Sequence, residues 1–255
     1  LVLFCLNPQK SQKKIIEISG IKEKIFAKRK IDKNLLKLNQ RGFLNGHTPF
    51  TAYLSFLSVL IAALKDCKFV VFSNEKSANE GNLRYLGKTI NHQYSKSEIF
   101  EKKFRLYIKK YLIENLQYFS LLRALNESEV VKLFIQFPQY FMVFSSCNSQ
   151  FKIENKIKER WCKNCPKCLF IFTTLYSLLG KKTVLKIFKT NLFENKTLRE
   201  TMLQLVGKKK FKPFECVGTI KENKKIFEKA LERWQKEEKK LPYLLSIFAK
   251  IKNGN

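Results

Sequence analysis

Acidic residues are scarce in this chain: 21 Asp and Glu stand against 50 Lys and Arg, a formal net charge of +29 over 255 residues. The excess is almost all lysine, alongside many Asn, Ile and Phe, which is the pattern a coding bias produces. It equally suits attraction to a polyanion such as nucleic acid or a nucleotide phosphate. The lysines are scattered along the whole chain, with only short runs such as Lys208-Lys209-Lys210, so charge alone identifies no partner. A long hydrophobic run is also missing. The longest apolar stretch, Tyr53 to Leu64, is broken by Ser55 and Ser58 and is too short to span a bilayer. No signal peptide is visible, and no low-complexity linker or internal repeat. The seven cysteines are Cys5, Cys67, Cys147, Cys162, Cys165, Cys168 and Cys216. An odd number with three clustered argues against a secreted disulfide scaffold and for a reducing, cytoplasmic setting.

What is present is enough for a core: 45% of residues are hydrophobic, which allows one large α/β domain or one domain with a helical appendix. Leu1 to Leu6 reads as a buried parallel strand, ended by Asn7-Pro8. It starts at the first residue without a Met, as expected of a chain whose upstream part is missing. Lys13 to Ser19 reads as a short helix, Lys24 to Ile31 as a second strand, and Phe69 to Phe72 as another. Thr48 to Leu64 reads as a strong helix, with Thr48 as N-cap and Pro49 in the first helical position. Lys96 to Leu112 and Glu127 to Ile135 read as helices, and Tyr140 to Ser145 as one more strand. Five helices follow Cys168: Leu169–Leu179, Lys182–Phe188, Lys196–Val206, Lys221–Glu238 and Leu241–Ile251. The alternation of strand and helix implies an α/β fold with a mostly parallel sheet. The organisation expected is a nucleotide-binding α/β domain over residues 1–145, then a Cys-rich turn and helical part over 146–255.

Five segments carry chemical potential. Asn45-Gly46-His47-Thr48-Pro49 precedes the strong helix, where free N–H groups suit an anion; Thr48 alone also explains it as a cap. Ser73-Asn74-Glu75-Lys76-Ser77-Ala78 follows a strand, at the end where open α/β sheets bind ligands. Asn91-His92-Gln93-Tyr94-Ser95-Lys96-Ser97 surrounds the only other histidine with hydrogen-bonding side chains, and Ser95 could cap the helix that follows. Cys147 followed by Cys162-x-x-Cys165-x-x-Cys168 supplies four soft ligands, which points to zinc, with an iron–sulfur cluster as the competing metal. Lys212-Pro213-Phe214-Glu215-Cys216-Val217-Gly218 marks an inter-helix loop in which Glu215 and Cys216 could line a site.

Taken together with Ser146-Cys147-Asn148 and Arg160-Trp161-Cys162-x-x-Cys165-Pro166-Lys167-Cys168, these segments resemble the UDP-N-acetyl-α-D-muramoyl-L-alanyl-L-glutamate epimerase family over roughly residues 1 to 220. The resemblance implies an ATP-pyrophosphatase-type fold, related to the 7-cyano-7-deazaguanine synthases, whose similar Cys cluster binds zinc. It implies ATP with Mg²⁺, cleaved to AMP and pyrophosphate, and a UDP-linked muramoyl dipeptide as substrate. The site expected from it uses His47, His92, Glu75 and Lys96 for proton transfer and charge stabilisation. Asn45, Gly46, Ser73, Asn74, Ser77, Asn91, Gln93, Ser95 and Glu215 are expected to contact substrate or nucleotide, with Cys147, Cys162, Cys165 and Cys168 on structural zinc. One departure stands out. No Ser-Gly-Gly-x-Asp-Ser-like phosphate loop occurs, so the first strand here would be the family's second, and the chain as given is expected to be inactive without the upstream segment. The competing expectations are another enzyme of that fold, a deazaguanine-synthase-like ligase or a tRNA-modifying enzyme, and a zinc-stapled nucleic-acid-binding module.

Overall fold

The structure is a computed structural model. It describes every residue except 44–48, 82, 151–156, 210, 211, 214 and 255. In chain order the elements are β1 (Val2–Leu6), α1 (Lys10–Ile18), β2 (Glu23–Ala27), α2 (Lys33–Gln40), α3 (Phe50–Leu64), β3 (Phe69–Phe72), β4 (Leu83–Tyr85), β5 (Lys88–Ile90), α4 (Glu98–Tyr111), β6 (Gln117–Ser120), α5 (Glu127–Phe134), α6 (Pro166–Leu179), α7 (Lys181–Phe188), α8 (Arg199–Leu205), α9 (Ile220–Glu237) and α10 (Tyr243–Lys252). They fall into two compact units: Leu1–Asn74 with Gln93–Arg123, and Glu75–His92 with Ala124–Asn255.

The first unit is α/β. β1 and β2 pair in parallel, Val2 opposite Glu23 and Leu6 opposite Ala27; α1 makes the crossover that a parallel pair requires. β3 and β6 form a second parallel pair, Phe69 opposite Gln117 and Phe72 opposite Ser120. Its core is Val59 and Ala62 of α3, Val70 of β3, Phe104 and Ile108 of α4, Leu116, and Tyr118 of β6. Tyr118 is buried with its hydroxyl 2.8 Å from that of Ser55, which itself donates to the Thr51 carbonyl at 2.7 Å. Burial pushes the Tyr118 phenol up to about 12. The expected parallel pairing is therefore present, as two separate two-stranded ladders among the described residues. The strong helix starts at Phe50, with Pro49 as the flanking cap residue rather than the first helical one; Thr48 lies outside the described residues.

The second unit holds an antiparallel hairpin, β4 with β5, and the helices α5 to α10. α6 is its axis: Cys168 to Tyr176 are all buried, and α6 packs against α9, α7, α8 and α5. Phe172, Tyr176, Phe188, Phe193 and Trp234 form an aromatic cluster around it. α9 opens with a reciprocal cap: Glu222 N donates to Thr219 Oγ1, and Thr219 N to Glu222 Oε2, both at 3.0 Å. The strand expected over Tyr140 to Ser145 is absent. Pro138–Tyr140 is a 3₁₀ turn, and the chain continues in turns closed by Phe141 N to Pro138 O and Phe144 N to Tyr140 O. Its aromatics serve the helical core instead: Phe144 lies 4.5 Å from Phe134 and 5.2 Å from Trp161, ring centre to ring centre. Among the described residues no helix is long and apolar enough to cross a membrane.

Candidate metal centre and carboxylate–thiol cluster

Four sulfurs converge in the second unit. The Sγ atoms of Cys147, Cys162, Cys165 and Cys168 all lie within 4.8 Å of one another and could hold a metal ion. Cys162 and Cys168 are 3.7 Å apart, sulfur to sulfur; a tetrahedron with bonds of about 2.3 Å has edges of about 3.8 Å, the zinc–thiolate geometry. The backbone is shaped for sulfur acceptors: Cys162 N donates to Cys147 Sγ at 3.3 Å and Cys168 N to Cys165 Sγ at 3.4 Å. Lys163 takes the left-handed conformation, φ 63°, that turns the chain back between Cys162 and Cys165. Arg160 ties the distant ligand to the rest. Its Nη1 donates to the Phe141 and Phe144 carbonyls and its Nη2 to that of Ile187, while Trp161 stacks on Phe188 at 4.4 Å.

Three of the thiols bear on one another's ionisation. Hydrogen bonds from Cys165 and Cys168 pull Cys147 well below the ordinary thiol value. The same bonds push Cys165 up to about 12 and Cys168 higher still. Thiolates this close repel one another, and a bound cation would offset that repulsion.

A second cluster stands beside the start of α6. Carboxylate oxygens of Glu75 and Glu127 and the Cys216 sulfur lie within 4.8 Å of one another. Glu127 opens α5 and is buried. Lys167 Nζ donates to both of its oxygens, at 3.0 and 3.2 Å, and to the Cys216 carbonyl. Lys167 N donates to Glu215 Oε2 at 3.1 Å, and Ser77 Oγ to Glu75 Oε1 at 3.0 Å. Burial pushes the Glu127 carboxyl above its usual range, the Lys167 ammonium opposes the shift, and the charge of Glu75 adds to it. Gly218, φ +64°, passes the loop where a Cβ would meet Phe170 at 3.1 Å and Glu222 at 3.2 Å.

The sequence-predicted residues distribute as follows. Asn45, Gly46 and His47 lie outside the described residues. In the first unit, Ser73 is exposed past the end of β3, and Asn74 is buried with its amide donating to Ser120 Oγ at 3.0 Å. Gln93 is buried, with Lys96 Nζ 3.4 Å from its Oε1. Ser95 is half-buried, and α4 is capped by Ser97, whose Oγ accepts from Phe100 N at 3.2 Å. In the second unit, Glu75, Ser77 and Glu215 belong to the cluster described above. Asn91 donates to the Ala78 carbonyl at 2.8 Å, and His92 is exposed. Glu127 and Lys167 had no site role from sequence. Lys167 sits inside the Cys-Pro-Lys-Cys step, where the ligand spacing masks it, and Glu127 looks like an ordinary acidic residue in a first helical turn. A cavity of about 550 Å³ at β1 and β2, lined among others by Asn7, Lys13, Lys24, Phe26 and Lys28, also had no sequence signal.

Two family models match the chain. A family model described as the MurL N-terminal domain matches residues 1–121, and one described as the MurL C-terminal domain matches residues 143–251. Three relatives, each named UDP-N-acetyl-alpha-D-muramoyl-L-alanyl-L-glutamate epimerase, share substantial identity with the chain. The Micromonospora sp. protein is 39% identical over 222 residues, which is 87% of this chain and 49% of the relative. That of Salinispora tropica is 36% identical over 220 residues, 86% of this chain and 48% of the relative. That of Xanthomonas oryzae pv. oryzae is 40% identical over 191 residues, 74% of this chain and 42% of the relative. The chain spans about half the length of the curated relatives it matches. No solved structure matches it.

Proposed function

The chain belongs to the MurL family, and from that premise we propose that it is part of an ATP-dependent epimerase acting on UDP-N-acetylmuramoyl-L-alanyl-L-glutamate in peptidoglycan precursor synthesis. The observation that carries the reading is the identity of 36 to 40% to epimerases of one name, running across most of the chain. In this reading the fold is of the ATP-pyrophosphatase type, the protein is cytoplasmic, residues 1–145 contribute to nucleotide binding, and residues 146–255 form the Cys-cluster part. The four cysteines hold zinc in a structural role, since all four positions of a tetrahedron are taken by protein.

The chemistry explains why an epimerase would use ATP. Removing the Cα proton beside a carboxylate places a carbanion next to a negative charge. Attack of the terminal α-carboxylate on the α-phosphorus of Mg²⁺-bound ATP expels pyrophosphate and leaves a neutral acyl group, whose Cα–H is far more acidic. A protein base takes the proton, a proton returns to the opposite face, and water cleaves the mixed anhydride to release AMP. For proton transfer the candidates are Glu75, His47 and His92, with Lys96 available to a phosphate or to the enolate. Asn45, Gly46, Ser73, Asn74, Ser77, Asn91, Gln93, Ser95 and Glu215 are the candidate contacts to nucleotide and peptide.

The test uses a protein of family length containing this chain, given the UDP-linked dipeptide, ATP and Mg²⁺ in deuterated water. AMP and pyrophosphate are expected to form only with the peptide present, with deuterium entering the glutamate Cα. AMP formation without Cα deuterium would replace this reading with that of a ligase of the same fold.

A further inference from the structure

We propose that Lys167 is a positioning residue that ties the Cys147–Cys162–Cys165–Cys168 centre to a proton-transfer group formed by Glu75, Glu127 and Cys216. The inference rests on the epimerase reading for what that group does; the tie itself rests on geometry.

Lys167 lies one residue from Cys168 and two from Cys165, so two metal ligands fix its backbone. Cys165 Sγ accepts from Cys168 N and caps α6, which places Lys167 in the first turn of that helix. From this anchored backbone it makes two connections to the cluster. Its N–H holds Glu215, and its ammonium holds Glu127 and the carbonyl of Cys216. The loop around residue 216 and the first turn of α5 are thereby referenced to the metal centre and to each other. The Lys167 side chain is 12% exposed and that of Glu127 10%, so the charges are largely removed from water.

A pair with no role beyond holding the fold is poorly explained here. Buried ion pairs stabilise little compared with apolar packing, and this one is accompanied by a second carboxylate and a thiol. Two carboxylates and a thiol gathered within 4.8 Å of one another, with an ammonium on one of the carboxylates, place several groups able to take up or release a proton at one spot. Such a group can accept a proton from a carbon acid and pass it on. Because the Glu75, Glu127 and Cys216 ligand atoms lie within 4.8 Å of one another, they stand on one side of any reacting carbon. They therefore serve one face of the glutamate Cα, and inversion needs a second donor from outside the cluster. The transfer balances: the Cα proton goes to a carboxylate oxygen of the group, the electron pair stays on the enolate, and a solvent-derived proton arrives on the other face.

The experiment is site-resolved alkylation of Cys216 by iodoacetamide, followed by peptide mass spectrometry, with metal content and circular dichroism measured on the same samples. Lys167→Met is expected to keep its metal and its helix content while Cys216 reacts about tenfold faster or more, because its carbonyl and Glu127 are released. Chelating the metal from the wild type is expected to accelerate Cys216 similarly, and chelation in Lys167→Met to add less than about twofold. A metal-loaded Lys167→Met with wild-type alkylation, or a chelated wild type with unchanged Cys216, overturns the proposal. If Lys167→Met does not fold, Lys167→Arg takes its place: a change above about threefold supports the tie, and none refutes it. In the family-length protein, Lys167→Met is expected to lower the rate of Cα deuterium exchange about a hundredfold with KM changed less than about threefold. A role only in stability would leave that split unmoved, and such a result also counts against the proposal. Absence of Cα exchange in the wild type refutes the epimerase reading and the proton-transfer role together; the tie is then judged by alkylation alone.

Discussion

Single carboxylates in this protein respond to burial in opposite directions, according to their partners. Glu101 of α4 is only 3% exposed, yet it accepts from Arg123 at 2.8 Å and from Arg105 at 2.5 Å. Burial would raise its pKa, but hydrogen bonds with Ser120, Arg123 and Arg105 outweigh it and hold the carboxyl below its usual range. Its stabilising contribution is therefore present above the unfolded carboxylate value, near 4.3, and is lost as pH falls through the lower folded value. Glu101→Gln is expected to cost about 3 kcal/mol near neutrality, since two guanidinium partners lose the carboxylate charge that faces them. It should also flatten the fall in melting temperature between about pH 5 and pH 3. An acid limb as steep as the wild type's would show that Glu101 is not the group responsible. Glu127, with one ammonium and an acidic neighbour, is raised, so its linkage has the other sign: its contribution is full below the unfolded value and is lost as pH rises through the folded one.

At the level of elements, the start of α6 is where the four-cysteine cluster, helix capping and the carboxylate cluster meet. Elemental analysis of protein purified under reducing, chelator-free conditions is expected to find about one zinc per chain. Cys165→Ser removes a ligand while leaving a hydroxyl able to cap α6, and should lose the metal and lower the melting temperature. Protein without zinc or iron would remove the metal centre from the account. Gly218→Ala is expected to cost about 2 kcal/mol in a denaturant titration, because the residue has positive φ and its Cβ would press on Phe170 and Glu222. An unchanged midpoint would mean the loop relocates freely. Much at this scale was legible in the sequence. β1 and β3 are short apolar runs, and the helices after Cys168 follow amphipathic or wholly apolar patterns. The failures have physical reasons. Tyr140 to Ser145 has strand-like composition, but Phe141 and Phe144 are held in the helical core by Phe134 and Trp161. β6 is only four residues with polar ends, Gln117 and Ser120, so its pairing to β3 exists only in three dimensions. α2 carries Leu35, Leu36 and Leu38 partly exposed, too weak a buried face to announce a helix. Of the site, the four cysteines are visible from spacing alone, whereas Glu127 and Lys167 become a site only when α5 and α6 bring them to Glu75 and Cys216.

For the whole molecule, the +29 charge remains diffuse, and family membership carries the functional conclusion. The central claim is inversion at the glutamate Cα, and chirality tests it most directly. A family-length protein containing this chain is incubated with UDP-N-acetylmuramoyl-L-alanyl-L-glutamate, ATP and Mg²⁺; the recovered peptide is hydrolysed, and its glutamate is resolved on a chiral phase. The account predicts D-glutamate appearing in proportion to AMP. Glutamate that remains wholly L while ATP is consumed would contradict it.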